Sequence, residues 1–216
     1  MVMAEATNHY FKHLGVSDGL SQVCIPSIYQ DELGAVWLGT TEGLNRYNGK
    51  DVRVFQPSES NHGLTNNEIN ELCGDKNGRM YIRSGNDLIK LDIYTEQFTC
   101  LRQKGVYGLF CKKDTLWVSC ADGIYYYTGQ GTELTFFARV QKGFVGRALY
   151  VDKETVWVVT RKYLVAISRE DPLRQEILLT LDKGNCILGD SSGNIWVGSL
   201  ERIIPCFSRS GDNRLC

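Results

Sequence analysis

Val36-Trp37-Leu38-Gly39-Thr40, Leu116-Trp117-Val118-Ser119-Cys120, Val156-Trp157-Val158-Val159-Thr160 and Ile195-Trp196-Val197-Gly198-Ser199 hold all four tryptophans of the chain. A fifth copy, Met80-Tyr81-Ile82-Arg83-Ser84, carries tyrosine in the aromatic place, and successive aromatics stand 44, 36, 40 and 39 residues apart. A period near 40 residues marks an array in which each repeat is one supersecondary unit. The register inside the unit is tighter than the spacing between units. Seven positions after each aromatic comes Leu44, Leu88, Ile124, Leu164 or Ile203, and ten positions after it Tyr47, Leu91, Tyr127, Ile167 or Cys206.

Short β-branched or aromatic runs such as Ile25 to Tyr29, Val36 to Thr40, Leu44 to Tyr47 and Val52 to Phe55, separated by turn residues, predict four strands per unit. Three copies spell out the first hairpin turn: Asp31-Glu32-Leu33-Gly34, Asp75-Lys76-Asn77-Gly78 and Asp190-Ser191-Ser192-Gly193. There Asp can accept a nearby backbone N–H and Gly can take positive φ. As calcium loops these turns lack the further alternating carboxylates and the closing Glu. A lone four-stranded sheet cannot bury both faces, so the units must stack around an axis. The expected fold is an all-β, incomplete β-propeller of about five four-stranded blades, approximately 10–57, 64–101, 105–138, 144–180 and 184–207. Trp37, Tyr81, Trp117, Trp157 and Trp196 are the expected wedges between blades, each burying roughly 150–250 Å². A row of sugar-stacking aromatics is the alternative.

Composition narrows the function classes. Of 216 residues 43% are hydrophobic, enough for a packed core. Twenty-four basic against 25 acidic side chains give a net charge of −1, so no summed field draws the chain onto nucleic acid or anionic lipid. No run approaches the roughly 20 apolar residues that span a bilayer, and Met1 to Tyr10 lacks the basic start and apolar centre of a secretory leader. Eight cysteines (Cys24, Cys73, Cys100, Cys111, Cys120, Cys186, Cys206, Cys216) include no CxxC pair, which argues against zinc. Several replace Val, Ile or Thr of sister copies and are expected as small buried thiols. A disulfide through Cys100 or Cys216 stays open, since spacing assigns no connectivity.

The stretch Tyr10-Phe11-Lys12-His13-Leu14, Asp18-Gly19-Leu20-Ser21-Gln22, Ile28-Tyr29-Gln30-Asp31, Val36 to Thr40 and Gly43-Leu44-Asn45-Arg46-Tyr47-Asn48-Gly49 resembles the first blade of the two-component regulator propeller family. Gly63-Leu64-Thr65-Asn66-Asn67, Asp75 to Gly78 and Tyr81-Ile82 echo it, while later copies keep only the aromatic and aliphatic frame. The resemblance implies the periplasmic sensor region of Bacteroidetes hybrid histidine kinase receptors that detect polysaccharide breakdown products. Such receptors continue into an immunoglobulin-like domain, a transmembrane helix, a kinase, a receiver and a DNA-binding domain. Nothing here resembles their phospho-accepting histidine region, and His9, His13 and His62 all lie in the first third. The expected role is ligand sensing that signals to a kinase outside this chain, without catalysis or cofactor. The fifth unit stops at Phe207 before the polar tail Ser208 to Cys216. Open end faces would favour a homodimer, aggregation, or completion by remaining blades.

In such blades the connection between blades and the turn between second and third strands share one face, where loops vary without disturbing packing. Gln22 and Asn66 in the connections, and Arg83, Asn86, Arg161 and Lys162 in or beside the inner turns, are the candidate ligand contacts. Arg83, Arg161 and Lys162 place positive charge where other copies carry Gly, Thr or acidic residues, so an acidic sugar or sulfate fits them; solvated turns are the alternative. In Tyr125-Tyr126-Tyr127 the faces alternate, which leaves Tyr126 exposed for sugar stacking or packed in the blade. No GxSxG elbow, Gly-rich phosphate loop or HExxH pair is present. A protein-binding scaffold and a propeller lyase or hydrolase remain as other readings of the same face.

Overall fold

The computed structural model describes residues 12–57, 63–200 and 202–207. His9, Tyr10, Phe11 and His62, the leader reading of Met1 to Tyr10 and the tail Ser208 to Cys216 lie outside them. Five antiparallel sheets follow in chain order. The first holds β1 (Ser27–Gln30), β2 (Val36–Thr40), β3 (Gly43–Tyr47) and β4 (Val52–Phe55). The second holds β5 (Ile69–Gly74), β6 (Arg79–Ser84), β7 (Asp87–Asp92) and β8 (Gln97–Arg102). The third holds β9 (Val106–Lys112), β10 (Thr115–Cys120), β11 (Gly123–Tyr127) and β12 (Thr135–Ala138). The fourth holds β13 (Gly146–Val151), β14 (Thr155–Thr160), β15 (Tyr163–Ser168) and β16 (Gln175–Thr180). The fifth has three strands among the described residues: β17 (Cys186–Gly189), β18 (Ile195–Gly198) and β19 (Ile203–Phe207). Each sheet is a meander, and the first strands β1, β5, β9, β13 and β17 neighbour one another in that order around a common axis. The fold is an incomplete β-propeller.

The repeat frame works by facing. Trp37 and Leu44 on the first blade pack with Leu72, Met80 and Leu91 of the second. Tyr81 and Leu88 of the second meet Leu116 and Tyr127 of the third. Trp117 and Ile124 meet Val156 and Ile167 of the fourth, and Trp157 and Leu164 meet Ile195 and Val197 of the fifth. Thus the aromatic and the aliphatic seven positions on face the next blade, and the residue ten positions on faces the previous one. Where no neighbouring sheet stands among the described residues the frame is wet. Trp37 is 0% and Trp117 5% exposed, whereas Trp196 is 38% and Ile203 73% exposed. Trp157 is half-buried, because the blade it faces has no fourth strand among the described residues. Only three of the four indoles therefore fill a wedge, and Trp196 departs from the expectation because no sixth sheet covers it among the described residues.

The Asp-x-x-Gly turns do more than reverse the chain. Asp31 Oδ1 accepts the N–H groups of Leu33 and Ala35 at 3.0 and 2.9 Å, while Oδ2 accepts the Trp37 indole N–H at 2.7 Å. Asp190 Oδ2 takes the Trp196 indole N–H, and Asp152 Oδ2, in a turn without the Gly, that of Trp157, both at 3.0 Å. Where the aromatic is Tyr81, Asp75 Oδ2 instead pairs with Arg79 Nε at 2.6 Å. Gly34, Gly78 and Gly193 close these turns at φ of 86–87°, a conformation glycine adopts without strain.

Candidate functional site

On three successive inner strands the ladder slips by one residue at the same place. Glu71 pairs with Arg83 and Ile69 with Ser84, leaving Asn70 extra. Gly108 pairs with Ser119 and Val106 with Cys120, leaving Tyr107 extra. Ala148 pairs with Val159 and Gly146 with Thr160, leaving Arg147 extra. A bulge frees one side chain from the alternation of the strand and re-aims it. Here all three bulged side chains line one cavity of about 610 Å³ on the propeller axis. Gly108 permits the close approach of β9 to β13 at this level, since a Cβ there would come within 2.7 Å of the Arg147 carbonyl oxygen.

Glu71 and Arg83 sit beside the bulges in the same wall. Glu71 Oε2 accepts Arg83 Nε–H at 3.3 Å and the Leu109 N–H at 3.1 Å. Burial pushes the Glu71 carboxyl above its usual range, and the Arg83 guanidinium and the Leu109 amide pull it partly back. Arg83 also donates to the Gly85 carbonyl at 3.3 Å. A second recess of about 390 Å³ adjoins, lined by Phe144, Arg161 and Lys162, and it shares Tyr107 and Arg147 with the axial cavity. Arg161 and Lys162 are exposed, their backbone carbonyls accepting the Gly184 and Leu181 amides. Among the described residues, Arg147, Arg161 and Lys162 form no ion pair, whereas Arg83 is neutralised by Glu71.

Of the seven candidate contacts, the structure gathers Arg83 and Asn86 at the axial cavity and Arg161 and Lys162 at the adjoining recess. The other three lie elsewhere. Gln22 Oε1 accepts the Val23 amide. Asn66 is held in its turn, its amide donating to Ser84 Oγ and its Oδ1 accepting from Glu68. Tyr126 is half-buried with its ring 5.6 Å from that of Trp117. Of the two readings of Tyr126, the packed one holds, because β11 pairs it directly opposite Trp117, on the face covered by the fourth blade. Sequence reading missed Asn70, Tyr107 and Arg147, which share no chemistry and mark the bulge only through backbone register. No group of three or more His, Cys, Asp or Glu side chains is placed to hold a metal among the described residues. None of the described helices is long and apolar enough to cross a membrane.

The molecule is thus a propeller segment with a polar cavity on its axis. A model of the family described as two component regulator propeller matches residues 19–42, so the first blade carries that family's repeat. A curated histidine kinase, P4 of Formosa agariphila, is 38% identical over 53 residues, 24% of this chain and 4% of the kinase. Among solved structures, an extracellular domain assigned to a hybrid two component system of B. thetaiotaomicron superposes with a TM-score of 0.80 at 22% identity, over 93% of this chain and 31% of that one. A second such domain from that organism gives 0.71 at 21% identity, over 88% and 27%. Virginiamycin B lyase from Staphylococcus aureus gives 0.65 at 12% identity, over 86% and 67%, and shares the fold alone. The chain spans less than a third of the two-component domains it superposes on.

Proposed function

We propose that this chain is the ligand-capturing part of an extracytoplasmic sensor propeller in a hybrid two-component receptor, and that it captures an acidic or sulfated oligosaccharide at the axial cavity. The family repeat at residues 19–42 and the two extracellular domains support the sensor reading. One observation carries the site: three equivalent bulges converge Asn70, Tyr107 and Arg147 on one cavity, beside Arg161 and Lys162, cations that form no ion pair among the described residues. Tyr107 offers an aromatic surface and a hydroxyl, Asn70 both a donor and an acceptor, and Arg147 a planar fork suited to carboxylate or sulfate. Arg83 holds the wall in shape through Glu71. Ligand occupancy would then reach a kinase outside this chain through altered contact with remaining blades or the following domain.

Calorimetric titration against a panel of neutral, uronic-acid and sulfated oligosaccharides tests this reading. Binding is expected for charged members, with Arg147→Ala weakening it at least about 10-fold and Arg161→Ala/Lys162→Ala by less, as rim charges do. Equal affinity of wild type and Arg147→Ala would remove the axial site. Silence of the whole ectodomain toward the panel would favour a protein partner on the same face.

A further inference from the structure

The interface between the second and third blades contains a pair of thiols where its sister interfaces contain other packing pairs. On the first blade Tyr29, opposite Trp37, lies over Gly74 of the second; on the fourth Tyr150, opposite Trp157, lies over Gly189 of the fifth. At the same register Cys73, opposite Tyr81, faces the third blade, and Cys111, opposite Leu116, faces back toward the second. Their sulfurs stand 2.9 Å apart across the seam. Two non-bonded sulfurs would normally sit near van der Waals distance, well beyond this, whereas a disulfide needs about 2.05 Å, so little movement joins them. Six free cysteines are described, and the only sulfur-to-sulfur contact among the described residues is this one.

We propose that Cys73 and Cys111 form a disulfide that staples the inner strands of the second and third blades. The chemistry is thiol–disulfide exchange with a disulfide-bearing oxidant, either a small disulfide or an oxidoreductase of the CxxC class. One cysteine thiolate attacks the oxidant's S–S bond, forming a mixed disulfide and releasing one thiolate. The second cysteine thiolate then attacks the protein sulfur of that mixed disulfide, forming the Cys73–Cys111 bond and releasing the second thiolate. The two protons lost from the cysteines end on the two released sulfurs. The protein pair is oxidised by two electrons and the oxidant reduced by two. Burial pushes the Cys73 thiol well above its ordinary range, so in the folded protein it stays protonated and reacts slowly. The bond therefore forms while the seam is still open during folding and is shielded from reductants afterwards. It matters to the cavity: Glu71 lies two residues before Cys73 and Leu109 two before Cys111, and their hydrogen bond at 3.1 Å crosses the same seam.

The test is to refold the full chain from denaturant in oxidised or reduced glutathione, quench in acid, alkylate free thiols and map tryptic peptides without reduction. Trypsin leaves Cys73 in peptide 54–76 and Cys111 in peptide 105–112, with no other cysteine in either. The expected result is that most oxidised molecules contain these two peptides linked. Their Tm should exceed that of reduced protein by about 10 °C, the size expected for closing a loop of a few tens of residues. A Cys73→Ser/Cys111→Ser variant should melt like reduced wild type in both buffers. Alkylation of both thiols in the oxidised sample, a dominant link through any other cysteine, or a linked protein that melts no higher than the double variant would overturn the proposal. Should the double variant fail to fold, the single Cys111→Ala variant serves as the unlinked reference, and the peptide map decides regardless.

Discussion

Trp37 and Trp196 occupy the same repeat position, yet one is sealed between two blades and the other lies on an uncovered face. Their local partner is also the same, an Asp carboxylate that accepts the indole N–H. The difference in stability must therefore come from burial and not from the hydrogen bond. Trp37→Ala and Trp117→Ala should each cost about 3–5 kcal/mol, as large core truncations do, while Trp196→Ala should cost less than about 1 kcal/mol. Urea denaturation of the three variants checks this; equal losses would mean that the fifth blade's front face is covered after all. The aromatic wedge was legible in the sequence because its period is covalent. Its exposure at the end of the array was not, since that depends on a neighbour and not on the residue. Arg83 and Asn86 at the axial cavity and Arg161 and Lys162 at the adjoining recess were legible as residues in or beside the inner turns that break the repeat, but Asn70, Tyr107 and Arg147 were not: a bulge is a property of hydrogen-bond register, and three unlike side chains leave no common letter.

The Asp-x-x-Gly hairpin links turn and wedge, and its carboxylate titrates accordingly. The indole N–H of Trp196, then the Asn194 side chain and the Asn194 and Ser192 amides, hold Asp190 down to about 2, and desolvation opposes them only weakly. The sign follows from linkage: a folded pKa below the unfolded value near 3.9 makes the ionised form favour folding. That contribution is complete above about pH 4 and fades as pH falls toward 2. An NMR titration of Asp190 should show its midpoint near 2 in wild type and nearer the ordinary aspartate value in Trp196→Phe, which removes the donor. An unchanged midpoint would assign the shift to the Asn194 side chain and the backbone amides. The turn itself was read from the Asp and Gly, yet the same Asp also holds the indole bond: Asp31 and Asp190 each precede their tryptophan by six residues, and Asp152, in a turn without the Gly, precedes Trp157 by five.

Because each blade touches only its two neighbours, the stability of the array is a sum of sheet and interface contributions. The second and third blades have a neighbour on either side, and between them lies the thiol seam. Among the described residues the fifth has an interface on one side alone, three strands, and on the other side exposed Leu188, Trp196 and Ile203. Opening it exposes only the Trp157, Leu164, Ile195 and Val197 cluster, whereas opening the third breaks two clusters at once. Native-state hydrogen exchange should therefore give the β17–β18 amides an opening free energy several kcal/mol below that of the β9–β10 amides. Val197→Ala should lower the first value by about 1–3 kcal/mol and leave the second nearly unchanged. If all five sheets instead exchanged at one free energy, and Val197→Ala lowered them together, the blades would be a single cooperative unit, and the seams between them would have to be far stronger than their packing shows.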